Sequence, residues 1–211
     1  MKTLSLIAQK GGTGKTTLAI HLCVQALRDG LSVVLVDIDP QASASTWWQR
    51  RAADEPALVQ GDGDELPGIL SQARERGFGL AIIDTAPHSS EQATACAQAS
   101  DWIYIPTRPA ILDLDAIGAS TTLAAAVQAP ARIVLNACPP PTRYGEPRIV
   151  GEARQALVRY GIPVCDVAVS QRAAYSHALI DGRAVSEFEA HGKAAGEIEA
   201  LWRIAREDLR L

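Results

Sequence analysis

The sequence first offers chemistry at Gln9-Lys10-Gly11-Gly12-Thr13-Gly14-Lys15-Thr16-Thr17. Glycines at 11, 12 and 14 let the backbone turn its N–H groups inward with no Cβ in the way, and a helix starting near Gly14 adds its positive end. Such a turn cradles a polyphosphate. Lys15 is the compact charge that reaches the β and γ phosphates, and Thr16 offers its hydroxyl to the magnesium ion that bridges them. Gly11, Gly12, Thr13, Gly14 and Thr17 supply the rest of the cradle. Lys10 is the unusual member. Taken alone, Lys10 reads equally well as a solvated surface charge, but the chain has only four lysines against sixteen arginines, and two of the four lie in this loop.

Carboxylates follow at two strand ends. Ser32-Val33-Val34-Leu35-Val36 is an apolar strand that runs into Asp37-Ile38-Asp39-Pro40-Gln41, and Leu80-Ala81-Ile82-Ile83 runs into Asp84-Thr85-Ala86-Pro87-His88. Asp-Pro alone is an ordinary strand exit. The glycine loop is likewise preceded by a strand-like run, Thr3-Leu4-Ser5-Leu6-Ile7-Ala8, and followed by a helix-like one, Leu18-Ala19-Ile20-His21-Leu22-Cys23-Val24. An open α/β sheet binds ligands beyond the carboxyl ends of its strands, so these elements must bring loop and acids to one edge. There Asp84 is placed to hold the magnesium, directly or through a water; His88 reads as a loop residue.

In the common pattern G-x-x-x-x-G-K-[ST] the first glycine would fall on Gln9, and Lys10 opens the loop instead. K-G-G-x-G-K-T-T, with D-x-D-P-Q at 37–41 and D-T-A-P at 84–87, resembles the ParA/MinD/Soj superfamily of deviant Walker A ATPases, closest to small plasmid partition ParA (ParF-like) proteins, over nearly the whole chain. The resemblance implies ATP hydrolysis with Mg2+ and weak intrinsic turnover. Lys10 would act across a dimer interface, Lys15 on the nucleotide of its own subunit, and Asp39 on the attacking water beside the magnesium, with Asp37 structural. Asn136, at the end of a strand over 132–136, would hydrogen-bond the adenine, and the proline-containing segment 106–113 would border the nucleotide and the dimer interface.

For partners, the resemblance implies an ATP-dependent homodimer, DNA bound without sequence specificity, and a ParB-like centromere protein that stimulates hydrolysis. The setting is cytoplasmic, with nucleoid association in the ATP state. Arg172, within 170–178, matches the region that presents basic residues to DNA, and Arg183, Lys193, Arg203 and Arg206 extend that set, although each singly is an ordinary solvated charge. A MinD-like membrane role would need a basic amphipathic tail. The final helix does place Ile198, Leu201, Trp202, Ala205 and Leu209 on one face, but its acids Glu197, Glu199, Glu207 and Asp208 nearly match its bases. Core packing and no stable membrane association are expected. An iron-sulfur carrier sharing the loop places a cysteine soon after the strand-end acid, whereas here Cys96 comes well along the next helix. A related ATPase positioning another cargo stays open, because cargo is specified by the partner.

Composition sets the frame. With 211 residues, 47% hydrophobic and 21% charged, the chain reads as a single domain over 1–211: a doubly wound, mostly parallel sheet with helices on both faces. No leader pattern or apolar run of membrane-spanning length is present, which reads as soluble and cytosolic. The formal charge of −4 excludes a protein coated in positive field, but it is uneven: residues 1–130 carry 9 basic and 14 acidic side chains, residues 131–211 carry 11 and 10, so an anionic partner is expected at the C-terminal half. Cys23, Cys96, Cys138 and Cys165 form no C-x-x-C pair and read as small buried thiols. Further helices are expected over 42–53, 65–76, 113–127 and 151–160, a loop over 60–64 and a last strand over 162–169. Trp47 and Trp48, being adjacent, cannot share one helix face.

Overall fold

The strand-forming runs are short, rich in valine, isoleucine and leucine, and apolar at every position, so both faces of the sheet they form require cover. The computed structural model describes residues 1–87 and 90–211; His88, expected in the loop after Asp84, lies outside them. Six strands form, β1 Lys2–Leu6, β2 Val33–Asp37, β3 Ala57–Gln60, β4 Leu80–Asp84, β5 Trp102–Thr107 and β6 Ala131–Leu135. They pair in the order β3-β2-β4-β1-β5-β6, all parallel. Alternate residues divide the core in two. Leu4, Leu6, Val33, Leu35, Ile82 and Tyr104 pack on one face against α1 Lys15–Arg28, α2 Ser43–Gln49, α8 Ala173–Ile180, α9 Val185–Phe188 and α10 Lys193–Leu209. Val34, Val36, Ala81, Ile83, Ile103 and Ile133 pack on the other against α3 Leu66–Glu75, α4 Ser90–Ala99, α5 Ile111–Ala116, α6 Gly118–Ala126 and α7 Arg148–Leu157.

The register positions the site. Leu6 of β1 and Asp37 of β2 both lie opposite Asp84 of β4, so the phosphate loop and both acidic strand ends leave the sheet side by side. β1 also pairs with β5, whose Pro106 lies past the last β1 partner, Leu6↔Tyr104, where no ladder donor is required.

Several boundaries differ from the sequence expectations, each for a local reason. The helix expected over 42–53 stops at Gln49, and the chain turns to add β3 at the sheet edge. That strand is four residues long and only half-buried, which leaves little apolar signal, and it takes Gln60 out of the expected loop. The helix expected over 113–127 is two helices that meet at Ile117-Gly118, where glycine weakens helical continuity. The strand expected over 162–169 is reduced to isolated pairings such as Ile133↔Val164. There the Arg154 guanidinium takes the carbonyls of Cys165 and Asp166 at 2.5 and 2.8 Å and draws them out of any ladder.

Other expectations hold. Ile198, Leu201, Trp202, Ala205 and Leu209 of α10 are all buried in the core. The four cysteines are free and buried. Trp47 donates its indole N–H to the Arg183 carbonyl at 3.2 Å and Trp48 donates to the Pro56 carbonyl at 2.8 Å, on different sides of α2. Among the described residues no helix is long and apolar enough to cross a membrane.

Candidate nucleotide site

The loop between β1 and α1 is held open by two close approaches. Gly14 has φ 92°, and a Cβ there would lie 2.1 Å from Nδ2 of Asn136, which crosses over to donate to the Thr13 carbonyl at 2.7 Å. Gly12 has φ 72° and sits beneath the Arg108 guanidinium, which donates to the Gly12 carbonyl. At Gly14 the positive φ and the close approach together require glycine; at Gly12 the positive φ favours it. Beyond them Lys15 begins α1, buried, with its ammonium donating to the Ala8 carbonyl at 3.1 Å. Burial lowers the Lys15 pKa, against the pull of the Asp84 and Asp39 charges.

Asp84, at the end of β4, is fully buried, and neither carboxylate oxygen has a hydrogen-bond partner among the described residues. Its pKa is pushed up to about 7, chiefly by burial and also by the charges of Asp37 and Asp39, while the Thr16 hydroxyl, near it but outside hydrogen-bond geometry, and the Lys15 charge pull it down. A buried carboxylate without a partner is costly unless a cation joins it. No cluster of three or more His, Cys, Asp or Glu that could cage a metal exists among the described residues. Magnesium commonly uses one or two carboxylates and completes its shell with phosphate oxygens and water, so Asp84, with Thr16 beside it, fits an ion that arrives with a polyphosphate.

The two acids after β2 divide their tasks. Asp37 is buried and accepts from the Ser45 N–H at 2.9 Å, the Ser45 hydroxyl at 2.7 Å and the Asp39 N–H at 3.2 Å, which commits it to the turn into α2. Asp39 is half-exposed, its carboxylate steadied by the Gln41 N–H at 2.9 Å. Lys10 opens the loop, and its ammonium pairs with the buried Asp113 of α5 at 3.0 Å. Beside the loop opens a cleft of about 310 Å³ with Gly14, Thr17, Arg108, Asn136 and Arg172 in its walls, a volume suited to a small ligand.

This geometry can be set beside known proteins. Residues 4–185 match the family model described as the CobQ/CobB/MinD/ParA nucleotide binding domain. The chain belongs to this family. It is 34% identical over 212 residues to the Maintenance of carboxysome distribution protein A of Gloeobacter kilaueensis, covering 99% of this chain and 94% of that protein. It is 29% identical over 146 residues to the chromosome-partitioning ATPase Soj of Thermus thermophilus, covering 56% of this chain and 59% of Soj. The solved structure of a Cyanothece McdA–ATP complex has the same fold, with a TM-score of 0.76 and 17% identity over 100% of this chain and 97% of that one. As a ParA/MinD-family member the chain is a nucleotide-binding ATPase.

The ParA/MinD framework does not gather every expected residue. Arg172, expected to face DNA, lies in the cleft wall and gives Nε and Nη2 to Glu197 at 3.0 and 2.7 Å; Glu197 also accepts from the Ser170 hydroxyl and from Tyr175. Arg183 pairs with Asp181 at 2.6 Å and Arg206 with Asp29 at 2.8 Å. Lys193 and Arg203 are exposed on α10, ten residues or about 15 Å apart along the helix. Three contributors escaped the sequence reading as individuals. Arg108 was recognisable only as an arginine between two prolines at a strand end, while Asp113 as the seat of Lys10 and Ser45 as the holder of Asp37 gave no signal at all.

Proposed function

We propose that this chain is an ATP-driven positioning ATPase: ATP with magnesium joins two copies into a dimer, the dimer binds DNA without sequence specificity, and a cargo-bound activator protein stimulates the hydrolysis that releases it. The observation that carries this reading is the division between the two lysines of the loop. Lys15 is buried and rests on the Ala8 carbonyl, while Lys10 rests on Asp113 with its side chain about one-third exposed, within reach of a second subunit. A cation supplied in trans to a phosphoryl transition state is worth on the order of 10³ to 10⁵ in rate when well placed.

In this reading the loop N–H groups and Lys15 orient the phosphates, Asn136 braces the loop and borders the base, and Asp39 positions the attacking water. Thr16 and Asp84 would hold a magnesium ion, which offsets charge on the transferred phosphoryl group. The family likeness over nearly the whole chain to a protein of carboxysome distribution supports a compartment-like cargo. Partition of DNA through a ParB-like protein is the second reading, supported by the similarity to Soj.

The test is binding to a random-sequence DNA duplex with ATP, with ADP and with no nucleotide, at two salt concentrations. Binding in the ATP state alone, weakened by salt, is expected, because phosphate contacts release counterions. Absence of binding in every state would remove DNA as the track and leave positioning on another surface.

A further inference from the structure

Among the described residues four cationic side chains border the phosphate loop, and what each rests on sorts them. Lys10 rests on the Asp113 carboxylate and Arg172 on the Glu197 carboxylate. Lys15 rests on the carbonyl of Ala8 and Arg108 on the carbonyl of Gly12. A cation on a carboxylate has its charge partly offset and its donors committed, whereas one on a carbonyl dipole leaves more of both for whatever enters the site. Lys15 has the arrangement expected of a group awaiting phosphate, and Arg108 shares it.

The position of Arg108 strengthens the parallel. Its side chain is exposed, but its stem is fixed: Pro106, Thr107 and Pro109 are buried, and the Thr107 carbonyl accepts from the Asn136 N–H at 2.8 Å. The guanidinium therefore reaches out from a rigid base into the wall of the cleft, next to Gly12, Gly14 and Thr17. It has five N–H donors in a planar fork that matches phosphate oxygens, and among the described residues no carboxylate pairs with it.

We propose that Arg108 is a phosphate-binding residue of this chain's own nucleotide site, exchanging the Gly12 carbonyl for a phosphate oxygen when a nucleoside polyphosphate enters the loop. This rests on the reading of the loop as the nucleotide site, and the experiment separates the two. Affinity for a fluorescent ATP analogue, and for ATP and ADP in competition with it, is measured for the unaltered protein and for Arg108→Ala, Arg108→Gln, Arg108→Lys and Lys15→Ala. Arg108→Ala and Arg108→Gln should weaken ATP and ADP about tenfold to a hundredfold, Arg108→Lys should recover part of the loss, and the gap should narrow with added salt. The nucleotide-free melting temperature of Arg108→Ala should stay unchanged. If Lys15→Ala abolishes binding while Arg108→Ala binds as the unaltered protein does, Arg108 has no such role. Equal weakening in the lysine and glutamine variants would also overturn it, since a purely steric part in the loop would not distinguish them. If Lys15→Ala binds normally, the loop is not the nucleotide site and the proposal falls with it.

Discussion

The two ends of β5 and its neighbours treat charge in opposite ways. Around the phosphate loop, Asp84 is buried with neither oxygen hydrogen-bonded among the described residues, and Lys15 and Arg108 lean on carbonyls. Away from the loop, in the last turn of α10, the Asp208 carboxylate receives the Tyr104 hydroxyl at 2.8 Å and two Arg132 donors at 2.8 and 2.6 Å, with Arg132 also covering the Trp102 ring at 5.6 Å. Burial, reinforced by the Asp208 charge, pushes the Tyr104 phenol far above its ordinary range. A closed network of this kind locks architecture, whereas an open one spends stability to keep groups available for a ligand. Open groups therefore mark where a ligand is awaited, although the pairing of Lys10 with Asp113 and of Asp37 with Ser45 shows that a site also holds closed pairs.

The contrast breaks most sharply at Asp208. Asp208→Ala should cost about 3 to 4 kcal/mol, because it strands the Arg132 charge and the buried Tyr104 hydroxyl together. Nucleotide affinity, measured on the fraction that remains folded, should be unchanged. A variant that kept its stability in urea but lost ATP binding would show that the closed network reaches the site and that the division is false.

His21 tests whether a buried titratable group on α1 belongs to scaffold or site. It lies wholly buried beside the Tyr175 ring at 5.2 Å, and its Nδ1 accepts the Val185 N–H at 3.3 Å. Burial lowers its pKa to about 3, against the pull of the Glu187 charge. The native state therefore refuses a proton that the unfolded chain takes up near pH 6.5, so the stabilisation is complete above that pH and is lost as pH falls toward 3. Between pH 7 and 4.5 the loss should be about 2 kcal/mol. His21→Asn, which retains an acceptor for Val185, should lose correspondingly less over the same interval in urea titrations, with ATP affinity at pH 7 preserved. Equal pH slopes in the two proteins would mean that His21 is not held neutral.

What the sequence disclosed follows the same division. The order strand, glycine loop, helix, acid, acid was legible because each feature is local: glycines at 11, 12 and 14, and carboxylates at the ends of apolar runs, announce themselves within a few residues. A mostly parallel sheet with helices on both faces follows from those runs, but the strand order does not. What could not be read are relations across long separations. The pairing of Lys10 with Asp113 and of Arg172 with Glu197, and the crossing of Arg108 and Asn136 over Gly12 and Gly14, depend on how the β5 and β6 ends converge on the loop. Edge elements were also dim. β3 is too short and too exposed to carry a pattern, and the pairing after Cys165 is broken by a side chain, Arg154, that a period-two reading does not see.

The smallest stability effect expected is also the one most particular to an open site. Asp84→Asn removes a carboxylate whose pKa burial has raised to about 7, so in nucleotide-free protein above that pH the ionised form carries a cost that the amide avoids. For an acid raised in this way the sign is opposite to that of His21: stability is greatest below the unfolded pKa near 3.8 and declines as pH rises through about 7. At pH 8 the variant should therefore be more stable than the unaltered protein by about 1 kcal/mol, the amide's own unmet hydrogen bonds absorbing much of the gain. The difference should vanish or reverse at pH 5, as read from paired thermal melts. ATP turnover should fall to background at both pH values, because the amide lacks the charge that would hold magnesium. A structural carboxylate gives the other pattern, lower stability with some activity retained, and that outcome would move Asp84 from the open group to the closed one.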